Sequence, residues 1–361
     1  MLIGICGAKC AGKSTVAQYL VEHHGFKKLH IDSGVPNNTL GSEASKHAPP
    51  EEDGSTTTNP TLRPNKGIVI QQHTFASAGA LLDFVTKHWR SRWVTTDVHS
   101  EAVLDALSRR PFFILVSVDA PVTVRWRRYQ ARHHQQQQQQ QQRQGGANAS
   151  SVISLEDFVA ESDAHLYDPS TGVLPLISRA AIRLLNTSDS LAHLYATLGK
   201  LDLTDGDRLR PSWDSYFMAL ASLAARRCNC MKRAVGCVLV DSKRRVISTG
   251  YNGTPRNLTN CMDGGCPRCN SGDATSGVSL ATCLCLHAEE NALLEAGRER
   301  IRDGSVLYCD TCPCLTCSIK IVQVGISEVV YSQGYSMDGE TARVFLSAGV
   351  KLRQFSPVSY H

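Results

Sequence analysis

One imidazole and two thiols stand at a spacing that suits a metal ion. His287 precedes Ala288-Glu289, and 25 residues after Glu289 comes Cys314, with Cys317 three further on. Three protein ligands of this kind hold zinc and leave its fourth tetrahedral position to water, the arrangement of a catalytic centre and not of a closed structural one. Cys314 and Cys317 share one face at the start of a predicted helix, and His287 begins another. Two positive helix ends then favour the thiolates. Zinc brings the pKa of its water toward 7, so hydroxide is available at neutral pH. Hydrolysis also needs a carboxylate to carry protons from that water to a leaving group, and Glu289 is placed for it. A purely structural zinc would have no use for a Glu at that offset.

The chain has fourteen cysteines, and only Cys6 and Cys10 lie outside the stretch from Cys228 to Cys317. In a chain read as intracellular, such crowding points to zinc thiolates and not disulfides. Cys266 and Cys269 have zinc-knuckle spacing, and a fourth thiolate from Cys261 or Cys285 would close a structural site. The plain alternative is buried free thiols, most of all for Cys228, Cys237 and Cys309. At the other end of the chain, Gly7-x4-Gly12-Lys13-Ser14 is an unbroken phosphate-loop motif. Its glycines let backbone amides wrap phosphates, Lys13 reaches the β/γ oxygens and Ser14 holds magnesium, which implies ATP with Mg2+.

These groups need elements to position them. The 361 residues are 42% hydrophobic, enough for two cores. The apolar run Met1–Cys6, the glycine loop and Thr15–Val21 read as strand, loop and helix. A helix near 80–89, a strand ending at Asp97, a helix over 101–107 and the apolar run 112–119 continue an α/β pattern. Segments 33–66 and 133–152 read as disordered insertions; the second holds eight consecutive glutamines, Gln135–Gln142. We expect a first domain over 1–203, a linker at 204–210 and a second domain over 211–361. The second opens with a helix capped by Ser212 or Asp214, whose apolar face is Trp213, Phe217, Leu220, Ala221 and Ala224. A hairpin follows over 235–251, then a helix over 287–299, a strand over 305–310, a helix over 314–324, a strand over 327–331 and a last helix–strand pair.

Charge narrows the function. Lys+Arg and Asp+Glu number 20 and 17 in residues 1–200 and 18 and 16 in residues 201–361. Neither half has the basic excess of a polynucleotide binder. No run approaches a membrane helix and the apolar start is too short for a signal peptide, so no membrane partner is expected and the location is read as cytoplasmic, with the nucleus left open.

His287-Ala-Glu289 with Pro313-Cys314-x2-Cys317 matches a known zinc-deaminase signature, and the match is one of resemblance. With Arg210–Phe217, Gly250-Tyr-Asn252-Gly-Thr-Pro-Arg256, Asn260–Cys269, Cys283–Ala292 and Val330–Tyr335, the chain resembles the cytidine and deoxycytidylate deaminase family, specifically the fungal dCMP deaminases. That resemblance implies a three-layer α/β/α deaminase domain and hydrolytic deamination of dCMP to dUMP, feeding thymidylate synthesis. It also implies a homohexamer responding to dCTP and dTTP. Asn252 and Tyr335 would contact substrate, and Arg298, on the helix begun by His287, would serve the effector. The family further implies a second zinc at positions equivalent to Cys230, Cys261 and Cys285; the residues leave its fourth ligand open among Cys266, Cys269 and the others. The first domain resembles nucleoside-monophosphate or dephospho-CoA kinases, with Asp119-Ala-Pro121 before an arginine-rich lid, Arg125–Arg132. Two rival readings are a deaminase editing tRNA or single-stranded DNA, and a P-loop regulator whose cysteine-rich half is a zinc-stabilised interaction module. Balanced charge opposes the first and Glu289 the second.

Overall fold

The computed structural model describes residues 1–32, 73–144, 154–272, 282–334 and 338–356. The expected insertion at 33–66 and Tyr335 lie outside them. Two compact units divide between Asp205 and Gly206.

The first unit alternates strand and helix: β1 (Leu2–Gly7), α1 (Lys13–His24), β2 (Lys27–Ile31), β3 (His73–Phe75), α2 (Ala78–Lys87), β4 (Trp93–Thr95), α3 (Glu101–Ser108), β5 (Phe113–Asp119), α4 (Val122–Gln144), α5 (Leu155–Tyr167), α6 (Leu174–Ser178), β6 (Ile182–Leu185) and α7 (Leu191–Leu201). The strands form a six-stranded sheet in the order β3-β2-β4-β1-β5-β6, every pair parallel. Buried on both faces, β1 is apolar along its length, as a central parallel strand must be. One expectation fails here. Residues 133–144 continue α4 through the glutamine tract instead of being disordered. Glutamine is a good helix former, and extending a nucleated helix avoids the cost of starting one. The rest of that expected insertion, 145–152, lies outside the described residues.

The second unit contains α8 (Trp213–Ala225), β7 (Gly236–Val240), β8 (Val246–Tyr251), α9 (Pro267–Asn270), α10 (Ala288–Ala296), β9 (Val306–Thr311), α11 (Leu315–Val324), β10 (Glu328–Gln333), α12 (Asp338–Ser347) and β11 (Lys351–Gln354). Its five-stranded sheet runs β11-β10-β9-β7-β8, antiparallel on both sides of β7 and parallel beyond β9. Alternation along the central strands divides the core into two layers. Val238, Val240, Val306 and Tyr308 pack with Phe217, Met218 and Ala221 of α8. Cys237, Leu239, Leu307 and Cys309 face the other way, onto Ala288 and Ala292 of α10, Ile321 of α11 and Phe345 of α12. The result is helix, sheet, helix. Ser212, not Asp214, caps α8, accepting from Ser215 N–H at 3.3 Å. Trp213, expected in the apolar face, is 52% exposed and stacks on Phe217, while Met218 is buried in its place.

Candidate active site and metal centres

Two helix N-termini build the site. Gly253, just past β8, pairs with Leu286 by N–H to O bonds of 3.2 and 2.8 Å, which brings the chain into α10 beside the end of β8. Gly250 of β8 allows the helix to lie close: a Cβ there would stand 2.0 Å from Ala288 O and 2.5 Å from Ala292 N. His287 is the N-cap of α10, and its N–H donates to Glu290 Oε2 at 3.1 Å while Glu290 also pairs with Lys320. Cys314 is the N-cap of α11. Buried Thr341 of α12 donates to Pro313 O at 3.1 Å, which holds the turn into α11.

His287 Nδ1 lies 3.3 Å from Cys314 Sγ and 3.3 Å from Cys317 Sγ. Tetrahedral zinc bonded to one nitrogen and two sulfurs holds such atoms about 3.5 Å apart, so the donor set fits the ion. A hydrogen bond from Cys317 pulls the Cys314 thiol down to about 3, with His287 and Thr316 assisting, and the same bond pushes Cys317 up. The bond to Cys314 in turn raises His287. Glu289 is 4% exposed, and before any metal charge is added burial pushes its carboxyl up to about 7. A carboxyl poised there can both take and give a proton near neutrality.

The other cysteines separate into kinds. Cys237 and Cys309 oppose one another in register between β7 and β9, fully buried in the core. Cys230, Cys261, Cys269 and Cys285 converge, with their sulfurs within 4.8 Å of one another, and so do Cys266, Cys269, Cys283 and Cys285. All five expected second-zinc candidates are therefore gathered, and Cys283 joins them.

Asn252 has defined backbone partners, and Arg298 lies off the helix on which it was expected. Asn252 is buried; its Oδ1 accepts from Val235 N–H at 2.9 Å and its Nδ2 donates to Arg233 O at 2.7 Å, so its amide ties the entry to β7. Arg298 is not on α10. That helix stops at Ala296, where Gly297 takes φ 68°, and Arg298 begins a separate 3-10 turn. Its Nη1 donates to Gln323 O at 2.8 Å, near the end of α11.

In the first unit the phosphate-loop motif turns between β1 and α1. Gly7, at φ 127°, lies against β5 so closely that a Cβ would meet Val118 O at 2.1 Å. Lys13 Nζ donates to Gly7 O and Ala8 O at 2.9 Å each, and Ser14 at the head of α1 is exposed. Arg128 of α4 donates to Ala11 O at 3.0 Å, and Asn186 Nδ2 to the same oxygen at 2.9 Å. Arg125, expected in the lid, is 7% exposed and donates to Ala120 O and Ser162 Oγ. It braces α4 against α5.

The family profile described as "Cytidine and deoxycytidylate deaminase zinc-binding region" matches residues 211–333. A "Deoxycytidylate deaminase" of Schizosaccharomyces pombe is 44% identical over 355 residues, covering 98% of this chain and 97% of that protein. The chain belongs to the deoxycytidylate deaminase family. A "Deoxycytidylate deaminase" of Saccharomyces cerevisiae is 42% identical over 367 residues, covering 99% of this chain and 97% of that protein. The solved structure of the cyanophage S-TIM5 dCMP deaminase in complex with dCMP and dUMP is 29% identical and covers 40% of this chain and 98% of that one, with a TM-score of 0.33. A profile described as "AAA domain" matches residues 3–150 of this deaminase, so the first unit is of the P-loop class.

Sequence reasoning passed over one group in the deaminase unit. Asp310, half-buried at the end of β9, accepts from Gly236 N–H at 3.1 Å, and its charge helps to keep Glu289 high. An acid four residues before Cys314 carries no spacing signal of its own; only the fold brings it near Glu289. Cys283, by contrast, was legible in the sequence as half of the Cys283-x-Cys285 pair.

Proposed function

We propose that this deaminase converts dCMP to dUMP and ammonia. The observation that carries the reading is the convergence of His287, Cys314 and Cys317 with Glu289 buried two residues along the same helix start. His287, Cys314 and Cys317 would hold zinc, which would supply a water readily deprotonated near neutral pH and so a nucleophile for the ring carbon bearing the amino group. Glu289 removes the proton that the water gives up and delivers it to the adjacent ring nitrogen. A second proton reaches the amino group through the same carboxyl, and ammonia leaves as the carbonyl forms. Asn252 and Tyr335 are proposed to hold the nucleotide, Asn252 through the turn that its amide orders.

Full-length likeness to two deoxycytidylate deaminases supports the nucleotide as substrate over a polynucleotide. We further propose a role in supplying dUMP for dTTP synthesis, control by dCTP and dTTP with Arg298 on the effector side, and a homohexamer. The first unit is proposed to bind ATP with Mg2+ through Gly7, Gly12, Lys13 and Ser14. The test is ammonia release from dCMP, dCTP, cytidine and a cytosine-containing oligonucleotide, with Glu289→Ala as control. Turnover of dCMP that the variant loses is expected; oligonucleotide turnover without dCMP turnover would overturn the reading. Addition of dCTP or dTTP to the dCMP assay, sedimentation, and ATP binding by Lys13→Ala test the regulation, the assembly and the P-loop.

A further inference from the structure

Six cysteines outside the catalytic centre form two overlapping tetrathiolate sets. Cys230 and Cys261 belong to one, Cys266 and Cys283 to the other, and Cys269 and Cys285 to both. The outer pairs are contributed by different segments. Cys230 follows α8, Cys261 lies in a 3-10 turn, Cys266 caps α9, and Cys283 precedes Cys285 on the way to α10.

Sulfur separations match metal ligation. Cys230 to Cys269 is 3.9 Å, Cys269 to Cys285 3.9 Å, Cys269 to Cys283 3.7 Å and Cys266 to Cys283 3.9 Å. Sulfurs around one tetrahedral zinc, with bonds of about 2.3 Å, stand about 3.8 Å apart. The shared pair is itself at that distance, as two sulfurs must be if both touch two ions.

A single ion leaves a poor remainder. Zinc in the first set strands Cys266, and zinc in the second strands Cys261, each with 0% exposure and packed against ligated sulfurs. Two ions use all six. Two zinc ions and six thiolates carry two net negative charges, and buried negative sulfur needs donors. Each outer sulfur has them: Cys230 accepts from the N–H groups of Lys232 and Arg233, Cys261 from Met231 N–H at 3.4 Å and Asn270 Nδ2 at 3.8 Å, Cys266 from Leu284 N–H at 3.4 Å, and Cys283 from Arg268 Nη1 at 3.8 Å.

We infer that these residues hold a binuclear zinc–thiolate cluster in which Cys269 and Cys285 bridge the two ions, Cys230 and Cys261 complete one coordination shell and Cys266 and Cys283 the other. This is a structural centre distinct from the catalytic site, and it ties the segment entering α10 to the end of α8.

The experiment counts metal and reads the bridge in the full-length protein. Purified chain is expected to hold three zinc ions by elemental analysis, one catalytic and two in the cluster. After exchange with 113Cd, NMR is expected to show two tetrathiolate resonances split by one another, because scalar coupling passes through a shared sulfur. Cys283→Ser is expected to lose one ion and the splitting while keeping the other cluster resonance. Two zinc ions per chain, two unsplit tetrathiolate resonances, or a Cys283→Ser protein that still holds three ions would overturn the cluster. None of these readouts depends on turnover of dCMP.

Discussion

Glu289 is the residue on which the chemistry turns, and its setting explains why a carboxylate two residues from a ligand differs from any other helix glutamate. Burial keeps its proton affinity close to neutral pH, where a shuttle works in both directions. Glu289→Gln keeps the shape and removes the shuttle. It is expected to lower kcat by about 10²–10⁴-fold while the zinc content stays that of the parent. Asn252 gives a different prediction, because both ends of its amide bond backbone groups of the segment entering β7. Asn252→Ala leaves Val235 N–H and Arg233 O without those partners and is expected to cost about 2–3 kcal/mol. Thermal unfolding without nucleotide measures it; an unchanged Tm with a raised KM would make Asn252 a substrate contact alone.

At the scale of elements, the site depends on how closely α10 approaches β8. Ser248 Oγ donates to Ala292 O at 2.8 Å and Asn291 Nδ2 to Tyr251 O at 2.8 Å, so the helix is fastened to the strand beside Gly250. Gly250→Ala inserts a methyl against helix backbone, which cannot move as a side-chain tip can. The expected cost is about 1–3 kcal/mol, with α10 pushed outward. Since His287 caps that helix and the cysteine ligands sit on α11, the variant should also give up zinc to a chelator faster than the parent. Equal chelation rates would show that the site tolerates the shift.

Across the second unit, one polar network joins elements distant in sequence. Arg353 of β11 grips Asp214 of α8 with two bonds of 2.7 and 3.1 Å and Glu328 of β10 with one of 3.0 Å, and Tyr308 of β9 donates to Asp214 at 2.8 Å. Burial works to raise the Asp214 carboxyl, but Arg353 and Tyr308 outweigh it and hold it below its ordinary value of 3.8. A carboxyl lowered on folding contributes stability above its unfolded pKa, and that contribution is lost as pH falls through the folded one. Asp214→Asn is therefore expected to melt lower than the parent at about pH 7, with the gap narrowing below about pH 4. Parallel Tm curves across that range would remove Asp214 from the acid response.

The sequence put forward His287, Glu289, Cys314 and Cys317 through their resemblance to a zinc-deaminase signature, and the chemistry of an open three-ligand zinc with a carboxylate beside it accounts for each role. The sequence also identified the phosphate loop, where backbone and sequence are one motif, and most strands and helices, whose apolar periods are local. Local patterns could not say that Gly297 ends α10 before Arg298, nor that α4 runs through the glutamines, since both depend on what the neighbouring turn has already done. Only the tertiary structure decided which cysteines meet. Four segments supply the six thiols of the second cluster, and sequence distance says nothing about which sulfurs come within bonding reach of one ion. Asp310 and the Asp214–Arg353 pair were hidden for the same reason: their partners are neighbours through the sheet and not along the chain.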